Sequence, residues 1–133
     1  MSTNWSEDIA VMHQHYGVNN KVKQFDVTKL RQFLEFRIAF LQEELDELKD
    51  NTRNPEEIVD ALIDLCVVAI GTLDSFGVDA NKAWDAVLEA NMNKQVGVKE
   101  GRPNPLGLPD LMKPAGWTPP NHSGNHGLFE QLA

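Results

Sequence analysis

The residues best suited to chemistry in this sequence are carboxylates. Glu44 and Glu47 stand three apart in FLQEELDELKD, and Glu57, Asp60 and Asp64 follow in PEEIVDALIDLCVVAIGTL. Spacings of three and four bring side chains onto one helical face. The second group runs into an apolar stretch, where acids are rarely carried. A buried carboxylate without a partner must shift its pKa or find a counter-charge. Bases are scarce nearby, Arg37 and Arg53 being the nearest on either side. A hard divalent cation is the remaining partner, and an all-oxygen donor set suits Mg²⁺, with Mn²⁺ as a substitute. Such ions bridge phosphate oxygens and lower the pKa of an attacking water. For EELDEL taken by itself the plain alternative is a solvated helix face. For Asp60 and Asp64 it is a salt-bridged or capping role.

The elements that must position these acids are helices. Four are expected. The first covers roughly Trp5 to Tyr16 and stops at Gly17; the second runs from near Asp26 or Thr28 to about Lys49. Asn54-Pro55, a cap followed by a first-turn proline, opens the third, which ends around Phe76-Gly77. The fourth runs from Asp79 to about Lys94. The short connection between the second and third makes them antiparallel neighbours. At about 100° per residue with Leu30 at zero, Leu34, Leu41, Leu45 and Leu48 fall between about 0° and 60°, and Glu44 and Glu47 near 320° and 260°. Those two acids therefore face inward, whereas Glu35, Asp46 and Asp50 face out. On the third helix Glu57, Asp60 and Asp64 share a stripe about 60° wide, which Gly71 continues. A pair folded about residue 52 sets Glu47 level with Glu57 and Glu44 level with Asp60.

Composition sets the outer limits. The 133 residues suit one domain, and a net charge of -8 argues against a nucleic-acid polymer as partner. One cysteine, Cys66, excludes a disulfide framework and points to the cytoplasm. MSTNWSEDIA has no signal-peptide core, and Asp60, Asp64 and Gly71 interrupt the longest apolar stretch, so no membrane span is expected. Six of the seven prolines follow residue 102. Residues 1–96 accordingly read as a helical catalytic part and 97–133 as an extended Pro/Gly-rich arm of the same domain, with room for a short hairpin. The third helix is apolar nearly all round, which predicts a homo-oligomer with that helix central.

Glu44-x-x-Glu47 followed by Glu57-x-x-Asp60 resembles the paired motif of the MazG-like all-α nucleoside triphosphate pyrophosphohydrolases. That superfamily includes phosphoribosyl-ATP pyrophosphohydrolase and the dimeric dUTPases. RIAFLQEELDEL, IVDALIDLCVVAIGTLDSFGVD, AWDAVLEANMNK and KPAGWTPP are similar to the short, phage-type members. The resemblance implies a four-helix, all-α bundle working as a dimer or tetramer. It also implies Mg²⁺-dependent cleavage of a nucleoside triphosphate to monophosphate and pyrophosphate. By position, Glu44, Glu47, Glu57 and Asp60 would be the catalytic metal ligands. Only nine residues separate Glu47 from Glu57, fewer than usual in the family, which leaves room for Asp64 to join or replace one of them and for Glu43 to act in an outer shell.

Further candidates address the substrate. Asn91 falls at the centre of the fourth helix's apolar face of Trp84, Val87 and Leu88. Lys94 and Arg102, with Lys99 between, could take the triphosphate tail. Arg37 could reach phosphate or pair with a ligand carboxylate, and His15, with His13 and Tyr16, could stack on a base. The bland readings are packing, satisfied backbone groups and solvated charge. His122 and His126 lie in a tail with no further ligand pattern, and Trp117 in KPAGWTPP anchors the arm. Three rivals remain: a catalytically silent helical oligomer, which would have lost an inward acid; phosphoribosyl-ATP hydrolysis, which would call for more basic residues; and a di-iron bundle, which lacks its Glu-x-x-His.

Overall fold

The computed structural model describes residues 4–101 and 105–133. The chain is mostly helical, in the order α1 (Trp5–Tyr16), α2 (Val18–Val22), α3 (Val27–Asp50), α4 (Pro55–Ser75), α5 (Ala80–Met92), strands β1 (Gln95–Gly97) and β2 (Asp110–Met112), and a terminal 3-10 helix (Gly127–Leu132). It forms two compact units. One holds the residues up to Ala80 together with Gly124–Ala133; the other is Asn81–Ser123.

Local chemistry sets the helix ends of the first unit. The Asn4 side chain accepts from Glu7 N at 3.2 Å and the Asp26 side chain from Lys29 N at 2.8 Å, satisfying first-turn donors that have no partner inside the helix. Asn54 does the same for Glu57 N, ahead of Pro55, which has no first-turn N–H to leave unmet. Gly17 ends α1 with φ at 72°, a left-handed conformation that glycine enters without steric penalty. Sequence reading predicts four helices; α2 is an additional one. Gly17 stops α1, but the chain re-enters a helix at once through Val18, and Val22 is carried into the core at 2% exposure.

The core is built around Phe76, which is fully buried, with Leu30 and Val22 beside it. Phe129 stacks on Phe76 at 4.0 Å between ring centroids, and Phe33 stacks at 5.6 Å. Each such pair adds about 0.5–1.5 kcal/mol beyond the burial of its area. Phe129 comes from the terminal 3-10 helix, which returns to this unit and lies against α3. Leu128 N donates to the Phe76 carbonyl at 2.7 Å and the Arg31 guanidinium to the Leu132 carbonyl at 2.9 Å. The Asn125 amide spans Asp79, accepting from its N–H and donating to its carbonyl. The last ten residues thus complete the core rather than trailing from it.

In the second unit β1 and β2 pair antiparallel, with Gln95 opposite Met112. This is the short hairpin that the Pro/Gly-rich segment leaves room for. The Trp117 indole N–H donates to the Ala90 carbonyl at 2.8 Å, so Trp117 anchors the arm to the last turn of α5.

Gly127 is the tightest point of the closure. Its φ is +53°, and a Cβ there would sit 2.0 Å from the Phe76 carbonyl oxygen. Gly127→Ala should therefore dislodge the terminal helix and destabilise the protein by about 2 kcal/mol or more, lowering the thermal midpoint by roughly 5 °C or more. Differential scanning calorimetry against Gly124→Ala measures this; Gly124 is also left-handed but has open space around it.

Candidate functional site

The site grows from the packing of α3 on α4. Arg37 of α3 donates through Nε to Thr72 Oγ1 and through Nη2 to the Val68 carbonyl, both at 2.9 Å. Its guanidinium also lies 5.6 Å from the Phe40 ring centroid. Burial lowers the Arg37 pKa from its ordinary value, though a guanidinium stays charged in proteins. The close approach depends on Gly71. A Cβ there would meet Arg37 Nη2 at 2.8 Å and the His13 ring at 3.2 Å. Arg37, expected to meet a carboxylate or phosphate, instead clips the two helices together.

That clip sets the antiparallel register, and the register selects the acids. Glu44 is buried, at 8% exposure, and its Oε2 has no hydrogen-bond partner. Burial raises its pKa above the usual carboxyl range. Repulsion from Glu47 and Asp64, a side-chain hydrogen bond with Glu47 and the charge of Glu43 raise it further. Asp64 is half-buried, and its pKa is also raised, by burial first and then by Asp60. Glu44 therefore faces Asp64, one helical turn further along α4 than Asp60, the partner that a fold about residue 52 predicts. Glu47, Glu57 and Asp60 are exposed. They lie toward the connecting turn, where the helix pair opens to solvent.

The two helices thus bring Glu44, Glu47 and Asp64 into electrostatic contact, with Asp60 coupled to Asp64. They leave Glu57 at the rim. Among the described residues, no three of His, Cys, Asp and Glu stand close enough together to share one ion. Two features nonetheless fit a cation there: a buried carboxylate oxygen with no donor, and a donor set made of carboxylates only.

The remaining candidates are dispersed. His15 is exposed and packs edge-to-face on Tyr16. Asn91 is exposed on α5 and Lys94 lies over the Trp117 ring, both within the second unit. Arg102 falls outside the described residues. His126 pairs with Glu130 through Nδ1 and Oε1 on the terminal helix.

A second polar cluster escapes the spacing rules. His13 is buried at 4% exposure, and its Nδ1–H donates to Asp74 Oδ2 at 2.8 Å, with Ser75 Oγ 3.3 Å from the same nitrogen. Asp74 Oδ2 also accepts from Asn19 Nδ2 at 2.9 Å. This network ties α1 and α2 to α4 beside a cavity of about 280 Å³ lined by His13, Gln14, Asn19, Asn20 and Lys23, among others. An apolar groove of about 180 Å³ lies between Trp5 and Ile9 of α1 and Ile63, Cys66, Val67 and Ile70 of α4. The signal that could have found the network is the pairing of a polar residue at the end of one helix with an acid at the end of another. That signal appears only once α1 is known to pack on α4.

Among known proteins, the family model described as phosphoribosyl-ATP pyrophosphohydrolase matches residues 18–91. This segment contains α2, α3, α4 and most of α5, and all five acids. No curated protein and no solved structure matches the chain.

The raised carboxyl pKa of Glu44 has a signed consequence for stability. A carboxyl whose pKa is higher folded than unfolded stabilises the fold below its unfolded pKa, and the benefit is lost as pH rises through the folded value. In metal-free protein, Glu44→Gln should therefore raise the thermal midpoint at pH 8 and lose that advantage at pH 3, where both side chains are neutral. Melts followed by circular dichroism in chelator across this range check the sign.

Proposed function

The chain belongs to the phosphoribosyl-ATP pyrophosphohydrolase family, within the MazG-like all-α superfamily, and from that premise we propose that it hydrolyses the α–β phosphoanhydride bond of a nucleotide. The substrates are (deoxy)nucleoside triphosphates, and the products are the monophosphate and pyrophosphate. The observation that carries this reading is Glu44, a buried carboxylate with an unpartnered oxygen, placed against Glu47 and Asp64 by the register of α3 and α4. A fold that only needed to pack would place an apolar residue there, because an unpaired buried charge is strongly destabilising.

Glu44, Glu47 and Asp64, with Glu57 and Asp60 toward the rim, are the residues that would hold Mg²⁺ or Mn²⁺. The bound ion would neutralise charge on the phosphate oxygens and lower the pKa of a water. The protein's own contribution is positional. Arg37 keeps α3 seated on α4 so that Glu44 stays in place. Glu47, exposed next to Glu44, is suited to accept a proton from the attacking water. Retention of all five acids argues against a catalytically silent helical module.

The family description favours a second reading, phosphoribosyl-ATP as substrate. Both readings break the same bond and release the same pyrophosphate, so the carboxylate chemistry does not separate them. The oligomer remains part of the proposal. Val59, Leu62 and Ile63 form an exposed apolar stretch of α4, with Trp5 exposed on α1, and a second copy of the chain would cover them.

Pyrophosphate release over a panel of nucleotides, phosphoribosyl-ATP included, tests the function. Turnover should require Mg²⁺ or Mn²⁺. Glu44→Gln should lower kcat about 100-fold or more while the helical circular dichroism stays at the wild-type level. Mg²⁺ should raise the thermal midpoint of the wild type and not of Glu44→Gln. Full activity in the variant would remove the site. Size-exclusion chromatography at micromolar concentration should give a dimer or tetramer; a monomer would overturn the proposed use of the α4 face.

A further inference from the structure

The second unit, taken by itself, holds a charge cluster that the carboxylate chemistry does not use. β1 and β2 pair Gln95 with Met112, Val96 with Leu111 and Gly97 with Asp110. The next step of that register sets Lys94 opposite Lys113. Like charges directly opposed across an antiparallel pair are destabilising. No carboxylate relieves them: among the described residues neither lysine forms an ion pair, and the two-residue alternation of a strand turns Asp110 to the other face of the hairpin from Lys113. Instead, both ammonium groups lie over one indole. Lys94 Nζ is 5.3 Å and Lys113 Nζ 5.2 Å from the Trp117 ring centroid. The ring is held in place by its N–H bond to the Ala90 carbonyl, and Trp117 N closes a turn onto the Pro114 carbonyl at 3.0 Å. A ring quadrupole attracts each cation by about 0.5–1 kcal/mol at an exposed site, which orients the ammonium groups without neutralising them.

We propose that Lys94, Lys113 and Trp117 form a clamp for a polyphosphate oxyanion, the pyrophosphate portion of the nucleotide substrate and of the product. Two ammonium groups held over one rigid ring present donors to two oxygens of a phosphate chain, and the anion removes the repulsion that the register imposes. Trp117 acts as a positioning residue: it touches the lysines and keeps their donors together. All three residues lie beyond the matched segment, which ends at residue 91. The identity of the anion rests on the pyrophosphohydrolase reading; the existence of the clamp does not.

Binding is therefore tested without turnover. The full-length ¹⁵N-labelled protein is titrated with inorganic pyrophosphate in chelator, with ionic strength held constant by NaCl, and the Trp117 indole resonance, assigned with Trp117→Phe, is followed. A saturable shift is expected with pyrophosphate and not with sulfate. Lys94→Gln and Lys113→Gln should each weaken binding about tenfold, the scale of one charge-assisted hydrogen bond. Lys113→Arg should keep most of the binding, and Lys29→Gln, which removes the same charge elsewhere, should change nothing. In the nucleotide assay Lys113→Gln should raise KM with kcat nearly unchanged, the mark of binding shared by ground and transition states. The absence of a saturable shift, an equal response to sulfate, or wild-type affinity in Lys113→Gln would overturn the clamp. Loss of turnover in every nucleotide, with pyrophosphate still bound, would instead overturn the reaction and leave the clamp standing.

Discussion

The first unit depends on the seating of α3 against α4. Arg37 spans the interface to Thr72 and Val68, and Gly71 supplies the space that lets it do so. An arginine buried this way must fill its donors, and both acceptors come from one turn of α4. The same turn of α4 also contains Gly71, which the His13 ring approaches from α1. A shift of α3 by one turn would strip Arg37 of its partners and move Glu44 away from Asp64. The candidate site is therefore held by a contact that takes no part in its chemistry.

Much of this frame was legible in the sequence. Asn54-Pro55, Asp26 and Gly17 announce their helix ends through cap chemistry, a local property. The inward placement of Glu44 follows from its position among Leu41, Leu45 and Leu48 on the wheel. The register was not legible, because the centre of a connection does not locate the axis between two helices. Asn51 N still donates to the Leu48 carbonyl as α3 ends, which carries the bend beyond residue 52. Nor does a wheel report depth. Glu57 and Asp60 share the stripe of Asp64, yet they are exposed because they lie nearer the open end of the helix pair.

Long-range closures were also hidden. The terminal 3-10 helix brings Phe129 onto Phe76 and the Leu132 carbonyl to Arg31. A proline- and glycine-rich segment signals only that regular helix is disfavoured; nothing periodic in it marks the residue that will complete a core. The His13–Asp74 bond likewise joins two helix ends 61 positions apart. Both closures serve one need. A helical unit this small cannot bury Phe76 with α2, α3 and α4 alone, and the chain's last residues supply the missing apolar surface.

Charge is distributed along the chain in a way that matches two different tasks. Residues 43–64 carry nine acids against two bases, whereas residues 94–113 carry four bases against two acids. A polyanion would be repelled by the first segment unless a cation came with it, and attracted by the second without one. A phosphate chain therefore needs both kinds of grip if an acidic protein is to hold it. The carboxylates act through a divalent ion on oxygens that gain charge in the reaction. The ammonium groups act on oxygens whose charge hardly changes. The first interaction strengthens toward the transition state and the second is uniform, so loss of Glu44 should fall on kcat and loss of Lys113 on KM.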